Sequence, residues 1–224
     1  LPITYWALQN ALDYAKPKLV VLDVQGVSKS YKLSGNSSDV HTAFDCYSIS
    51  KTKIEALDDL MDDPNAVDDD GVAYVDMKWE YLFTLGKYHA RWSELTDTDF
   101  HPVYNREKGA KSVIAVADVG DYDLIDEDMA TEESGQTGFV YLRKIIEDCQ
   151  ARGIDVLLVH LPYPANEQQQ MDANAVAYIA EDYGLNYIDF VSMDQVADYA
   201  TDCFDAHEHL NPSGARKVSD YLGR

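Results

Sequence analysis

The stretch Ile154-Asp155-Val156-Leu157-Leu158-Val159-His160 decides the fold class, because it is typical of a buried strand and has helical patterns on both sides. The spacing predicts one helix from Phe139 to Arg152 and another from Glu167 to Tyr183, each closed by a glycine. A second short apolar run, Asn186 to Phe190, predicts the next strand. Helices that alternate with buried strands indicate parallel pairing, so we predict an α/β domain.

The beginning of the chain repeats this order of helix and strand. Tyr5, Leu8 and Leu12 recur at helical spacing, Pro17 ends the helix, and the run Leu19 to Val24 predicts a buried parallel strand. In a doubly wound sheet, a helix before the first visible strand implies an earlier strand. We therefore expect that strand to lie upstream of this sequence, although Leu19 to Val24 could itself be the first strand.

More than a hundred residues separate the first two predicted strands, which is too many for a simple crossover. We predict one domain over residues 1–224 that carries a helical insertion over residues 45–110, with Lys51 to Met61 and Val75 to Leu95 as its core. A stripe at helical spacing within the second helix favours core packing over a sugar-binding surface. Its members are Tyr81, Leu85, Tyr88, Trp92 and Leu95.

Composition limits the classes of partner. The formal net charge is −22, from 40 acidic and 18 basic residues, so we expect no nucleic acid and no anionic membrane surface as partner. No apolar run reaches the roughly 20 residues of a membrane span. Three cysteines are too few for a disulfide framework, and we expect no cofactor.

The stretch from Asp202 to Ala215 carries the most chemical information. His209 precedes a predicted closing helix, which Asn211 can cap and which tolerates Pro212 in its first turn. An imidazole that is oriented by a nearby carboxylate, Asp205 in the first instance, has what a general base needs to activate a hydroxyl. The alternatives are that Asp202 or Glu208 orients the histidine, or that the acids only cap a turn.

This stretch resembles the last sequence block of the SGNH (GDSL-like) hydrolase superfamily, through His-Leu-Asn-Pro-Ser-Gly-Ala at positions 209–215. Further segments are similar to its extracytoplasmic bacterial branch, related to cell-envelope O-acyltransferases: Leu1–Trp6, Pro17–Asp23, His41–Asp45, Tyr88–Trp92 and Leu161–Pro164. The resemblance implies a flavodoxin-like three-layer α/β/α fold, and a secreted or membrane-anchored esterase or O-acyltransferase that acts on acylated envelope glycans or small esters by a Ser-His-Asp mechanism. The chain departs in spacing, because the family's Asp lies three residues before the His, which is Ala206 here.

The nucleophile is a larger departure. The family carries its serine in a Gly-Asp-Ser or Gly-Ser-Ser turn after the first strand, and no such tripeptide occurs near this N-terminus. We expect the serine turn, like the first strand and any membrane anchor, to lie upstream of Leu1. The alternative nucleophile within the chain is Ser28.

Other residues remain candidates for binding. His160, Tyr163 and Asn166 follow the strand at 154–160, so we expect them to face the substrate at the carboxyl edge of the sheet. A metal site at His207 and His209 is a second hypothesis, and a glycan-binding domain without catalysis is a third. The sequence leaves the oligomeric state open.

Overall fold

The computed structural model describes residues 1–33, 35, 37–84, 89–100, 112–120, 123–133, 135–193, 196–205 and 209–223. The helices are α1 (Pro2–Leu12), α2 (Ser37–Phe44), α3 (Lys51–Leu60), α4 (Tyr74–Leu82), α5 (Asp97–Phe100), α6 (Thr137–Ala151), α7 (Glu167–Tyr183) and α8 (Pro212–Leu222). The strands are β1 (Leu19–Asp23), β2 (Asp155–His160) and β3 (Asn186–Asp189), and 3₁₀ turns occur at Gln25–Ser28 and His89–Ser93.

The chain forms two compact units. The first comprises Leu1–Lys16 and Ser30–Gly109, and the second comprises Pro17–Lys29 and Ala110–Arg224. The predicted insertion, residues 45–110, thus falls almost entirely within the first unit. The segment of the first unit that contains the insertion begins earlier than predicted, at Ser30. The unit also contains the N-terminal helix α1.

The second unit is a mixed α/β structure built on a parallel sheet with strand order β1-β2-β3. Val21 lies opposite Leu157 in the first pair, and Leu158 lies opposite Tyr187 in the second. Parallel strands need long crossover connections, and α7 provides the one between β2 and β3. The predicted α/β class with parallel strands is therefore confirmed.

Strand β1 differs from the expectation of a fully buried strand. Leu22 is buried, but Leu19 and Val21 are each 50% exposed. β1 forms one edge of the described sheet and pairs with β2 on one side. Only one of its two faces is packed, so alternate side chains stay accessible.

The long helices of the second unit follow the sequence signals closely. Helix α7 has the predicted bounds because Asn166 and Gln169 form a capping box at its start, and Gly184 adopts a left-handed φ of 65° at its end. Helix α6 begins at Thr137, two residues before the predicted Phe139, and buries Phe139, Leu142 and Ile145. The N–H of Gly138 donates to the Lys29 carbonyl, 2.9 Å away.

The first unit is helical, with a core that α2, α3 and α4 contribute to through Phe44, Leu57, Leu60, Tyr74 and Tyr81. The predicted helix Val75 to Leu95 is wrong in length, because α4 ends at Leu82 and Phe83 leaves the helical conformation. Trp92 is 69% exposed and Leu95 is also exposed, so the predicted core stripe does not extend to them. Leu85 and Tyr88 lie outside the described residues.

None of the helices in the described part of the chain combines the length and apolar character needed to cross a bilayer. The thiols of Cys46, Cys149 and Cys203 are free.

Gly138 is a position where a side chain cannot be accommodated. A Cβ atom there would lie 2.1 Å from the Val27 carbonyl oxygen, within the backbone of the 3₁₀ turn. We expect Gly138→Ala to lower the free energy of unfolding by about 1–3 kcal/mol, because the helix and the turn must separate. Urea unfolding followed by circular dichroism measures this loss.

The matched control is Gly223→Ala, whose added Cβ would lie 3.3 Å from the Ser219 carbonyl oxygen. That contact needs only a small shift, so the control should change stability by no more than about 0.5 kcal/mol. Equal effects of the two substitutions would contradict the proposed close packing of α6 on the turn.

Candidate active site

A cleft of about 780 Å³ opens at the carboxyl ends of the parallel strands. Asp23 is the last residue of β1, and Leu161 and Pro162 directly follow β2. This is the edge at which open α/β sheets bind ligands. The other lining residues are Gln25, Val113, Phe204, His209, Leu210, Ala215, Val218, Ser219 and Leu222. The walls are thus largely apolar, with His209, Asp23 and Gln25 among the polar groups.

His209 and Asp205 form a hydrogen-bonded pair at this cleft. The His209 Nδ1 atom lies 2.6 Å from Asp205 Oδ2, and the His209 backbone N–H donates to Asp205 Oδ1 at 3.3 Å. The carboxylate therefore binds both the ring and the backbone of the same residue. Because Nδ1 is engaged by the acid, Nε2 is the nitrogen that can exchange a proton with a molecule in the cleft.

The histidine ring is also held by packing. It stacks on Phe204, with ring centroids 5.1 Å apart and an angle of 17° between the planes. The Phe204 N–H donates to the His209 carbonyl at 3.1 Å, so the two residues are also linked through their backbones. The His209 side chain is nevertheless 60% exposed, so a substrate can reach it. The expected contact with Asp205 is present, and its catalytic role stays a prediction.

The loop that carries this pair is anchored by the buried side chain of Asn211. Its amide donates to the carbonyls of Thr201, at 2.7 Å, and Ala115, at 3.2 Å. Its carbonyl accepts the N–H groups of Ser213 and Gly214, which begin α8. One side chain thus ties the loop before His209 and the segment near Ala115 to the closing helix, as a helix cap with two further partners.

The segment Ser112 to Ala117 is predicted to form a strand or an edge hairpin. In the structure it makes one isolated antiparallel bridge, between Ala117 and Cys203, and is otherwise irregular over its described length. Ile114 and Val116 are exposed, so the segment lacks the packed face that a strand of the sheet would have.

Asp202 supports the same loop from within the protein. Its buried Oδ2 accepts from the Asp198 N–H at 2.8 Å and from Lys217 Nζ at 2.6 Å. Burial acts to raise the pKa of Asp202, but the Asp198 N–H and the Lys217 ammonium outweigh it and hold this pKa below its ordinary value. Asp202 therefore contacts α8, whereas the described carboxylate in contact with the His209 ring is that of Asp205.

Asp23 contributes a carboxylate to the lining of the cleft. Its Oδ1 accepts the Gln25 N–H at 3.3 Å. Burial raises the pKa of Asp23 above its ordinary value, and neighbouring backbone N–H groups and His160 oppose that rise. The sequence analysis did not single out Asp23 as a site residue. Its place at the last position of a parallel strand was the signal that could have identified it.

The residues predicted to face the substrate lie elsewhere. His160 is 2% exposed, with Nδ1 3.1 Å from Asp189 Oδ1 and Nε2 3.1 Å from the Tyr163 hydroxyl. Asn166 caps α7 through its side chain. None of the predicted three is among the described residues that line the His209 cleft. The structure thus brings His160 and Tyr163 together in a buried network with Asp189, a residue that sequence reasoning missed.

Ser28 and His207 were the remaining candidates. Ser28 ends the 3₁₀ turn and lines a much smaller cavity with His160 and Tyr163, and it is not among the described residues of the His209 cleft. His207 lies outside the described residues, as does Glu208. Within the described ranges, no group of three or more His, Cys, Asp or Glu side chains could hold a metal ion.

Comparison with known proteins gave no match: no protein-family model, no curated protein and no solved structure is significantly similar to this chain. A function for this protein can therefore be inferred from the geometry of the site and from the sequence resemblance.

The anchoring role of Asn211 predicts a graded loss of stability. Asn211→Ala removes the cap and leaves buried carbonyls without donors, so we expect the free energy of unfolding to fall by about 2–4 kcal/mol. Asn211→Ser keeps a capping oxygen and should lose less. Urea unfolding of the three proteins measures the order, and an Ala variant as stable as the parent would contradict the role.

Asp202 predicts a pH-dependent contribution. Its folded-state pKa is lowered, so its stabilising effect is complete above the ordinary value of 3.8 and is lost as pH falls through the folded-state pKa. Asp202→Asn should therefore cost about 1–3 kcal/mol at pH 7 and progressively less as the pH falls below 3.8 through the folded-state pKa. Urea unfolding over a series of pH values tests this. The exposed Asp220→Asn on α8 is the control, and a gap that stays constant with pH would contradict the assignment.

Proposed function

We propose that this protein is an SGNH-like esterase or O-acyltransferase in which His209, oriented by Asp205, is the general base. The hydrogen-bonded His209–Asp205 pair at an apolar cleft is the observation that carries the proposal. Acyl transfer needs a base that takes a proton from a hydroxyl and returns it to the leaving alcohol, and an imidazole with one nitrogen fixed by a carboxylate is suited to both steps.

The chemistry follows from the two ring nitrogens. Nε2 accepts the proton of the attacking hydroxyl as its oxygen bonds to the ester carbonyl, and Asp205 stabilises the resulting imidazolium through Nδ1. The imidazolium then donates this proton to the alcohol oxygen as the ester C–O bond breaks. Water or a second hydroxyl takes the acyl group in the return half of the cycle, for hydrolysis or transfer respectively.

The cleft favours an acyl group as the part of the substrate bound there. Leu161, Phe204, Leu210 and Val218 line it, and such walls desolvate a hydrocarbon better than a polar sugar. We assign the acceptor or donor to an uncharged or cationic glycan, because a chain with a net charge of −22 disfavours polyanions.

The finer assignments rest on the sequence resemblance. They are a flavodoxin-like three-layer arrangement for the second unit, an extracytoplasmic location, and a nucleophilic serine in a Gly-Asp-Ser or Gly-Ser-Ser turn, a tripeptide that does not occur near Leu1. The parallel pairing of the strands and the position of the cleft at their carboxyl ends support the first of these.

A non-catalytic glycan-binding domain is the second candidate. One observation favours it: Ser28 and His209 line different cavities in the part of the chain that the structure describes. In this function the cleft binds the acyl group of a glycan without cleaving it, and the His209–Asp205 pair serves as a polar contact.

The test uses the protein as isolated from its native cells. A fluorophosphonate probe should label one serine, and His209→Ala should abolish the labelling because the hydroxyl loses its base. With p-nitrophenyl acetate, His209→Ala and Asp205→Asn should each lower kcat/KM by about 10²–10⁴-fold. Peptide mapping of the label identifies the nucleophile.

Ser192→Ala, at an exposed position outside the cleft lining, is the control and should keep full labelling. No labelling together with tight binding of an acylated glycan would favour the binding domain. Hydrolysis that His209→Ala leaves unchanged would overturn the proposed mechanism.

A further inference from the structure

The second unit contains a small cavity of about 10 Å³ next to the cleft. Gln25 lines both spaces, so its side chain forms part of the wall between them. Ser28 belongs to the same 3₁₀ turn, Gln169 and Asp172 come from α7, and His160 and Tyr163 complete the polar lining.

Two residues of the cavity lining, Gln25 and Asp172, each have a buried polar atom with no hydrogen-bond partner among the described residues. Asp172 is 3% exposed, and its Oδ1 accepts from Thr131 Oγ1 at 2.6 Å and from Gln168 Nε2 at 3.1 Å. Its other oxygen, Oδ2, is buried and has no hydrogen-bond partner among the described residues. The amide nitrogen of Gln25, Nε2, is buried and without a partner in the same part of the chain.

These two atoms are chemically complementary. Gln25 Nε2 can only donate, and an ionised Asp172 Oδ2 can only accept. Leaving either group buried and unsatisfied is costly, and native proteins satisfy such groups with protein atoms or ordered water. A ligand between them must accept on one side and donate on the other.

We propose that this cavity binds one ordered water molecule, which accepts a hydrogen bond from Gln25 and donates one to Asp172. The volume of the cavity matches a single water molecule, because one water needs about 10–15 Å³ of such space. A bare cation fits the site less well, because the amide hydrogens of Gln25 would face its charge. A hydrated ion exceeds the space.

The bridging water would connect the turn Gln25–Ser28 to α7. Asp172 also accepts a hydrogen bond from Thr131, so the turn gains an indirect link to one further segment, the one that contains Thr131. Gln25 also lines the cleft, so the water in the small cavity would help to fix the position of this cleft residue. This inference does not depend on the proposed acyl-transfer chemistry, and its test has no enzymatic readout.

A high-resolution crystal structure of the protein tests the water directly. We expect one density peak within hydrogen-bond distance, about 2.8–3.0 Å, of both Gln25 Nε2 and Asp172 Oδ2. A direct Gln25–Asp172 hydrogen bond with no peak between them would overturn the proposal. A peak with anomalous signal and the amide oxygen turned towards it would also overturn it, in favour of a metal cation.

Gln25→Met removes the donor at similar side-chain size. We expect the unfolding midpoint to fall by about 2–4 °C and amide exchange at Gly26–Ser28 to accelerate, because the turn loses its link to α7. Gln150→Met, at an exposed glutamine whose amide donates to the Tyr183 carbonyl, is the control and should leave exchange in the turn unchanged. Unchanged exchange in Gln25→Met would count against the bridge.

Discussion

The buried amide of Asn211 is the interaction on which the candidate active site depends. It is the point where the irregular loop 199–205, the segment near Ala115 and the first turn of α8 share hydrogen bonds. None of these segments is held by the parallel sheet itself. Without that amide the loop would have unsatisfied buried carbonyls, and the contact between Asp205 and His209 would lose its support. A polar side chain, rather than apolar packing, therefore sets the geometry of the base.

The same part of the protein is tightened from two other sides. Gly214 approaches Asp202 so closely that a Cβ atom would lie 2.6 Å from its carbonyl oxygen, and Lys217 neutralises the buried carboxylate of Asp202. The closing helix is thus fixed to the loop by a cap, a close backbone contact and an ion pair. His209 remains accessible within this rigid frame, which is the arrangement expected of a group that must meet a substrate without moving.

The sequence predicted the regular elements where local signals were strong, and it failed where tertiary context decided. The capping box at Asn166 and the glycine at position 184 defined α7 to the residue, and the alternation of helix and strand predicted the parallel sheet. The end of α4 was missed because Leu82 is followed directly by Phe83 and Thr84, and neither is a proline or a glycine that would mark a helix end. The His209–Asp205 contact followed from a four-residue spacing, whereas the burial of His160 with Asp189 joins strands that local patterns cannot align.

The division of the chain into units has a consequence for how the protein folds. Strand β1 pairs with β2, yet more than a hundred residues of sequence separate the two strands, and these include the larger segment of the first unit, Ser30–Gly109. Such a distant pairing requires closing a long loop before any contact is gained, which makes the sheet slow to form. During synthesis β1 emerges well before its partner strand. We therefore expect the helical unit to become compact first, with the sheet, and with it the cleft, assembled late.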